Sequence, residues 1–383
     1  MKALRGILIV YLTFLALSVR KRFRPYIVGV TGSSGKTTTK YFISKILRSS
    51  GKNCRVSSDN LNTKSGLPLA ILLVDKAPRG FFDWLRTILV VSLRALFLSK
   101  YPDYLVLEYA ADLPGDIKKI SESFPPDIAV VTSIGVAHIE IFKNESAIIK
   151  EKVALLKAAR EYAIVPQSVY ERVKSEKINA RLIIAEKVPF LRFDDIEYKA
   201  NEISLKIIFA SKAYPVSFQF AGEHNLSNLR LALLTSYFAG ANSGVVDAVK
   251  CLRPLKGRGK RFVGRKEIMI IDESYNANPE SMLVSLKVLG NIKYGRKVAV
   301  LGEMKEIGPI SHKSHTEIAR IAKVIADVTI GVGGGFKECK LDYWYPDVRE
   351  LKRVIMDIIK KGDVVLFKGS RSNELEEAIE VVS

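Results

Sequence analysis

The chain has 383 residues, which is enough for two domains with well-buried cores. Its formal net charge of +20 favours anionic partners: a phosphate-rich substrate, an anionic membrane or nucleic acid. The three cysteines are widely spaced and form no C-x-x-C pair, which argues against a disulfide framework and a zinc site and fits a reducing cytoplasm.

An apolar run occupies residues 6–19, with basic residues on both sides and no acidic residue before Tyr26. It is shorter than the ~20 residues of a spanning helix, and it lacks the small-residue cleavage site of a secretory signal. We therefore interpret residues 1–24 either as a membrane-surface helix or short anchor on the cytoplasmic side, or as a helix packed into the protein.

Residues 26–38 have the pattern of a buried strand that runs into a glycine-rich phosphate loop. Glycines let the backbone N–H groups curl around an anion, Lys36 supplies positive charge for the terminal phosphates, and the Thr37 hydroxyl is placed to hold Mg²⁺. The helical pattern of residues 38–48 adds a positive helix N-terminus. Val30 stands where a strict pattern has glycine, and a simple glycine turn is the alternative. The predicted ATP-binding residues are Gly32, Ser33, Ser34, Gly35, Lys36, Thr37 and Thr38.

A second apolar segment, residues 81–98, has a narrow polar stripe at helical spacing. Such a helix, with tryptophan and arginine, is typical of a membrane interface. A helix packed into the domain is the alternative. The stripe consists of Asp83, Arg86, Thr87 and Arg94.

Short apolar runs alternate with helical patterns through most of the chain, which predicts an α/β protein with mostly parallel sheets. Residues 192–220 instead alternate polar and apolar side chains and predict an antiparallel hairpin region. The glycine-, proline- and cation-rich residues 251–264 are interpreted as an interdomain connection. We therefore predict a phosphate-loop central domain at 25–252 and a Rossmann-like α/β domain at 253–383. The predicted strands are 105–107, 128–131, 269–271, 298–301, 328–330 and 364–367, and the predicted helices include 146–159, 281–289 and 314–326.

Two side chains that follow predicted strands are candidate metal ligands. Glu108 comes directly after one strand, and His138 follows another. Open parallel sheets place their sites at these strand ends, and a carboxylate near a triphosphate suits Mg²⁺, although histidine is an unusual magnesium ligand. Taken alone, a residue such as Glu108 is more often a surface charge at a strand end, and one such as His138 is more often a hydrogen-bonded core histidine.

Several motifs, in this order along residues 26–381, resemble the Mur ligase family. They are residues 31–38, Glu108 with 114–117, 132–140, 223–228, 275–279, 301–308 and 368–371. The later motifs are similar to those of the members that join D-alanyl-D-alanine to UDP-N-acetylmuramoyl-tripeptide. The resemblance implies an ATP-dependent, ADP-forming peptide ligase of peptidoglycan biosynthesis. Its acceptor would be a cell-wall precursor with a free carboxylate, activated as an acyl phosphate, and its amine D-Ala-D-Ala.

The resemblance also implies roles for individual residues. Lys36 contacts the terminal phosphates, Thr37 and Glu108 hold one Mg²⁺, and His138 helps to hold a second. Lys152 matches a lysine that these ligases carry as a carbamate, and Arg258 one that reaches the nucleotide when the C-terminal domain closes. Further nucleotide-binding residues are Asn225, Asn228, Asp272 and Glu273, and the substrate-binding residues are Tyr275, Asn276, Asn278, Lys368 and Arg371.

Relatives in this family begin with a domain of several dozen residues that binds the UDP-sugar, whereas about 25 residues precede the loop strand here. We therefore expect that this UDP-binding domain is lacking, and that a partner replaces it, the acceptor binds differently or the acceptor is membrane-bound. A ligase acting on a lipid-linked or polymeric acceptor is one alternative. A membrane-associated P-loop ATPase that makes no bond is another. The expected location is the cytoplasm or the inner face of its membrane. The sequence has no motif for nucleic-acid recognition, so nucleic acid is not expected as a partner.

Overall fold

The computed structural model describes residues 2–58, 61–135, 142, 144–198, 202–218, 220, 223–241 and 243–383. Its strands are β1 (Tyr26–Thr31), β2 (Cys54–Val56), β3 (Tyr104–Glu108), β4 (Ile128–Val131), β5 (Tyr162–Val165), β6 (Arg181–Ile184), β7 (Leu191–Tyr198), β8 (Ile203–Phe209), β9 (Lys212–Phe218), β10 (Lys260–Val263), β11 (Met269–Glu273), β12 (Lys297–Gly302), β13 (Val328–Val332), β14 (Tyr343–Tyr345) and β15 (Val364–Lys368). Its helices are α1 (Lys2–Phe23), α2 (Lys36–Ser49), α3 (Gly66–Ile71), α4 (Gly80–Phe97), α5 (Asp116–Ser123), α6 (Glu145–Ala158), α7 (Gln167–Val173), α8 (Glu223–Phe238), α9 (Pro279–Gly290), α10 (Ser311–Ile325), α11 (Val348–Ile358) and α12 (Glu376–Val382).

The first sheet is parallel, with the strand order β2-β3-β1-β4-β5-β6. Its central strand β1 is covered on both faces, since Ile27, Val28 and Val30 are all fully buried. Strands that are apolar on both faces are expected where helices cover a parallel sheet on each side. In register, Val30 lies beside Glu108 of β3, so the phosphate loop after β1 and the Glu108 carboxylate leave the sheet at one edge.

The second sheet has the order β10-β11-β15-β12-β13-β14 and is parallel except for β10, which runs antiparallel to β11. A separate antiparallel sheet, β7-β8-β9, forms in the region where the sequence alternates. In β8 the residues Ile203, Leu205, Ile207 and Phe209 are buried while those between them are partly exposed, as a half-buried strand requires. The predicted α/β fold class and the antiparallel region are confirmed.

Helix α1 has one side that is buried in the protein and one apolar side that is exposed. Leu12, Ala16 and Val19 are completely or almost completely buried in the core that includes α3. On the other side of the helix, Val10 and Phe14 are 70% and 65% exposed. Across the part of the chain that the structure describes, none of the helices has the length and apolar character needed to cross a membrane.

Helix α4 lies beside α1 and turns most of its apolar side chains to the solvent. The Arg94 guanidinium donates to the carbonyls of Leu72 and Leu73, and the Ser92 hydroxyl lies 2.7 Å from the Tyr11 hydroxyl, so polar groups of α4 face the protein. The exposed apolar side chains of α4 are Phe81, Phe82, Leu85, Leu89, Leu93, Leu96 and Phe97.

Candidate active site

A cleft of about 330 Å³ lies at the edge of the first sheet where the phosphate loop begins, and residues of both large sheets line it. Since parallel strands bring their carboxyl ends to one edge, β1 and β3 both deliver side chains to it. Predicted site residues that line the cleft are Ser33, Ser34, Gly35, Lys36, Thr37, Thr38, Glu108, Asn225, Asn228, Arg258, Glu273, Tyr275, Asn276, Asn278 and Lys368.

Other predicted site residues do not line the cleft. Asp272 is buried, and its carboxylate accepts hydrogen bonds from the backbone of Gly257 and from Ser274, so Glu273 is the acid that faces the cleft. Arg371 pairs with Glu376 at 2.9 Å. Gly32 and Lys152 are not among the lining residues, and His138 lies outside the described residues.

The conformation of the phosphate loop depends on Gly35 and on a contact with the loop after β4. Gly35 has φ of +78°, and a Cβ there would come within 2.5 Å of the Asn228 amide oxygen, so only glycine fits. The Ser34 N–H donates to the Ser133 hydroxyl at 2.8 Å, which ties the loop to the neighbouring strand end. Because no side chain caps the start of α2, its first N–H groups are available to an anion.

Glu108 is the buried carboxylate of the site and is 3% exposed. Its oxygens lie 3.2 Å from the Lys40 ammonium and 3.1 Å from both the Thr37 hydroxyl and the Asn62 amide. Burial by itself raises the pKa of Glu108, but the nearby ammonium groups of Lys40 and Lys36 and the Asn62 hydrogen bond outweigh it and hold the pKa below its usual value. The carboxylate is therefore charged at neutral pH.

Two oxygen atoms of the cleft suit a magnesium ion as ligands. Thr37 Oγ1 and a Glu108 oxygen are already within hydrogen-bond distance, and hydroxyl, carboxylate and phosphate oxygens are the ligands that Mg²⁺ prefers. Among the described residues, no cluster of three or more His, Cys, Asp and Glu side chains could hold a metal by itself. A metal here would complete its shell with substrate phosphates.

Lys152 on α6 is 7% exposed and close to two other charged residues of the site. Burial lowers the pKa of Lys152 to about 7, and repulsion from Lys36 acts in the same direction, while Glu151 and Glu108 oppose it in part. A substantial fraction of this amine is neutral at neutral pH, unlike an ordinary lysine.

The interdomain connection contributes a cation to the cleft, and this cation lies over an aromatic ring that follows β11. The Arg258 guanidinium lies 3.8 Å from the centre of the Tyr275 ring and donates to Thr37 Oγ1 at 3.1 Å. Next to it, Lys368 is buried, donates to the Asn276 carbonyl at 2.9 Å and lies 3.4 Å from Glu273. Burial lowers the pKa of Lys368, although the Glu273 charge counteracts this.

Sequence reasoning missed three residues of the site. Lys40 lies one helical turn after Lys36, so the shared helix face was a usable signal. Asn62 reaches Glu108 from a loop distant in the sequence, and nothing local indicated this. His224 lines the cleft next to Asn225, and burial lowers its pKa.

Comparison with protein families gives two matches. The Mur ligase middle domain matches residues 30–236, which is more than half of the chain. The glutamate ligase domain of Mur ligases matches residues 257–371.

Individual relatives agree with these matches. The UDP-N-acetylmuramoyl-tripeptide–D-alanyl-D-alanine ligase of Bacillus subtilis is 28% identical over 92% of this chain and 75% of its own length. The ligase of the same name from Synechocystis is 26% identical over 94% of this chain and 74% of its own length.

Among solved structures, the MurF ligase of Thermotoga maritima in complex with ADP superposes with a TM-score of 0.80 at 27% identity. The alignment covers 97% of this chain and 83% of that one. A crystal structure of MurF from Acinetobacter baumannii also gives 0.80, at 25% identity, and covers 97% of this chain and 80% of that chain.

Proposed function

Since the chain belongs to the Mur ligase family, we propose that it is the ATP-dependent, ADP-forming peptide ligase that joins D-alanyl-D-alanine to UDP-N-acetylmuramoyl-tripeptide. The relatives named for this reaction cover most of the chain, and their similarity does not favour a P-loop ATPase that makes no bond. The observation that carries the proposal is the cleft in which Lys36, Thr37 and Glu108 of one unit meet Arg258 and Lys368 of the other.

The reaction has two steps. The tripeptide carboxylate attacks the terminal phosphorus of ATP, ADP leaves, and an acyl phosphate remains. The free amine of D-Ala-D-Ala then attacks the acyl carbon and its nitrogen loses a proton to the solvent. The tetrahedral intermediate collapses, and phosphate leaves as the amide forms. The enzyme's contribution to both steps is to align the reactants and neutralise developing charge.

We propose these roles for the phosphate side of the cleft. The N-terminus of α2 and the Lys36 ammonium bind and orient the terminal phosphates. Thr37 and Glu108 would hold Mg²⁺, which when bound neutralises phosphate charge. Lys40 keeps Glu108 ionised and in place. Asn225 and Asn228 on α8 would face the adenine side.

For the C-terminal side we propose that Arg258 and Glu273 contact the nucleotide, and that Lys368 and the Tyr275–Asn278 loop orient the carboxylate and amine. Lys368 is a buried cation in contact with the loop itself through the Asn276 carbonyl. That contact fixes the ammonium position relative to the loop, which is what alignment of two substrates requires.

We also propose that Lys152 carries CO₂ as a carbamate. The neutral amine attacks the carbon of CO₂, an N–C bond forms, and the nitrogen loses a proton, which turns a cation into an anion. The low pKa of Lys152 favours this reaction because only the unprotonated amine is a nucleophile. The carbamate would support a second Mg²⁺, for which the His138 position is the other proposed ligand.

The decisive experiment incubates the purified full chain with ATP, Mg²⁺, UDP-N-acetylmuramoyl-tripeptide and D-Ala-D-Ala. We expect ADP, phosphate and one amide product, identified by its mass. Omission of D-Ala-D-Ala is the matched control and should suppress product and sustained ADP release together. Steady ATP hydrolysis that does not depend on the amine, with no amide formed, would refute the proposal.

Finally, we propose that the ligase works at the inner face of the cytoplasmic membrane. The support is the exposed apolar surface of α1 and α4 next to a cluster of basic residues.

A further inference from the structure

Helices α1 and α4 together carry an unusual amount of exposed apolar surface. They contribute 22 and 18 residues, yet 12 of the 19 exposed large apolar side chains in the described part of the chain lie on them. Contiguous surface of this kind on a soluble domain marks an interaction site.

The apolar side chains form one stripe on each helix. On α1 the stripe consists of Ile7, Val10 and Phe14, which are spaced three and four residues apart. On α4 it consists of Leu85, Leu89 and Leu96, which are spaced four and seven residues apart. All six are at least 57% exposed. The helices lie side by side, joined by the Tyr11–Ser92 contact and by Arg22, which donates to the Leu96 carbonyl at 3.0 Å. We call these six side chains the lipid face.

Basic residues surround the lipid face. Residues 1–24 contain six basic and no acidic side chains, and Lys21, Arg22 and Arg24 are exposed at the end of α1. Between residues 76 and 100, Lys76, Arg79, Arg86 and Lys100 are exposed, against the single acidic Asp83, and Asp75 and Asp103 flank this segment. Each exposed cation at an anionic bilayer contributes about 1 kcal/mol to binding.

A pocket of about 440 Å³ adjoins the lipid face. Leu17, which follows Phe14 on the same helix face, lines the pocket together with Arg20, Lys21, Arg24 and Arg160. The acidic residue in its wall is Asp127, which accepts from the Ile27 N–H and lies 3.5 Å from Arg160. The pocket therefore keeps a net positive charge, which suits a phosphate group.

We propose that the lipid face and this pocket bind an anionic bilayer, with the apolar stripes among the acyl chains and a lipid phosphate in the pocket. A second copy of the chain is a poorer occupant, because a symmetric contact would bring two basic clusters together. The inference deepens the proposed function by naming the binding surface, but vesicle binding itself does not depend on ligase activity.

This mode of binding leaves the nucleotide cleft accessible. The pocket contains Tyr26 at the start of β1, whereas the phosphate loop follows Thr31 at the end of that strand. Six strand residues separate the two by about 20 Å. A lipid phosphate bound at the first edge of the sheet therefore does not occupy the nucleotide cleft at the second.

The test is co-sedimentation of the full chain with vesicles of phosphatidylcholine, with or without phosphatidylglycerol, at ~0.1 M salt. We expect binding to the anionic vesicles and much weaker binding to the neutral ones. The variant Leu85→Ser/Leu89→Ser/Leu96→Ser should reduce partitioning about tenfold or more, since three side chains no longer insert. The control Val263→Ser/Val324→Ser alters equally exposed apolar side chains elsewhere and should bind like the wild type.

Charge reversal tests the pocket separately. Lys21→Glu/Arg24→Glu should also lower binding to anionic vesicles about tenfold or more, with little effect on neutral ones. Lys287→Glu/Lys313→Glu, which reverses two exposed lysines on α9 and α10, is its control. Ligation measured without vesicles should be unchanged in all four variants, which shows that they fold and separates this test from that of the proposed function.

Three outcomes would overturn the inference. The first is a wild-type chain that stays in the supernatant with anionic vesicles, and the second is a leucine variant that binds as the wild type does. The third is a wild-type dimer in sedimentation velocity that the leucine variant abolishes, without vesicle binding by either, which would assign the face to a second copy.

Discussion

In the cleft, Lys40 and Lys368 are almost fully buried, and each lies within 3.4 Å of a carboxylate oxygen, whereas Lys21 and Arg24 at the lipid face project into the solvent. Buried charges require partners at fixed positions, since an unpaired charge in the interior is costly. The binding of exposed cations to a lipid surface depends on how many there are and how near they lie to it, and it does not require fixed positions. Under the proposed membrane binding, one strongly basic chain uses its charge in two ways, which differ in how strictly the position of each charged side chain is specified.

The first prediction concerns a substitution that disrupts the cleft and leaves the lipid face intact. Lys36→Met should reduce the rate of ligation on the order of 10³-fold, about 4 kcal/mol, because one phosphate-binding cation is lost from a fixed position. Lys45→Met, on the exposed side of the same helix, should keep the wild-type rate. Initial rates of amide formation measure both, and vesicle binding should not change. A Lys36→Met rate within tenfold of the wild type would show that the site lies elsewhere.

The second prediction compares the buried side of α1 with the apolar stripe of α4. Leu12→Ala removes a completely buried side chain and should lower the free energy of unfolding by about 3 kcal/mol. Leu89→Ala, at a side chain 61% exposed, should change it by less than about 0.5 kcal/mol. Urea denaturation with equal slopes gives both values. Equal losses of unfolding free energy would mean that the α4 stripe is packed in solution, which would contradict the exposure of the lipid face.

The third prediction concerns the pH dependence that Lys152 introduces. Its pKa is about 7 in the folded chain and 10.5 when unperturbed, so between these values the unfolded chain holds more protons. Stability should therefore rise with pH from 7 upward, by at most about 1.4 kcal/mol per unit, in CO₂-free buffer. Lys152→Met should lack this increment, and the measurement is urea denaturation of both proteins at pH 7, 8 and 9.

A carbon label tests the carbamate with the same pair of proteins. With ¹³C-bicarbonate, the wild type should show a carbamate carbon resonance that Lys152→Met lacks. Parallel stability curves for the two proteins, together with identical spectra, would leave Lys152 as an ordinary buried lysine.

The phosphate loop could be predicted from the sequence because its determinants are local. Glycines, Lys36 and Thr37 lie within a few residues, and their spacing alone specifies the curl of the backbone. The fold class followed from the alternation of strand and helix patterns for the same reason.

Contacts between distant residues could not be predicted in this way. No sequence pattern showed that Asn62 supports Glu108, or that Asp272 turns to Gly257 and leaves Glu273 in the cleft. The N-terminal segment shows another limit, since its composition suggested either a buried or a membrane-facing helix. The periodicity of Leu12, Ala16 and Val19 against Val10 and Phe14 places both environments on one helix, and only the packing assigns each side.

The side chain of Arg258 has a consequence for the order of events in a catalytic cycle. It stacks on Tyr275 and donates to Thr37, so separation of the two units must break at least one of these contacts. A nucleotide that bridges the same groups resists separation. By thermodynamic reciprocity, the closed arrangement holds the nucleotide more tightly by the same factor. If the nucleotide bridges these groups, as proposed above, product release and domain opening form one coupled equilibrium, and the Arg258 guanidinium on the connecting segment transmits the coupling.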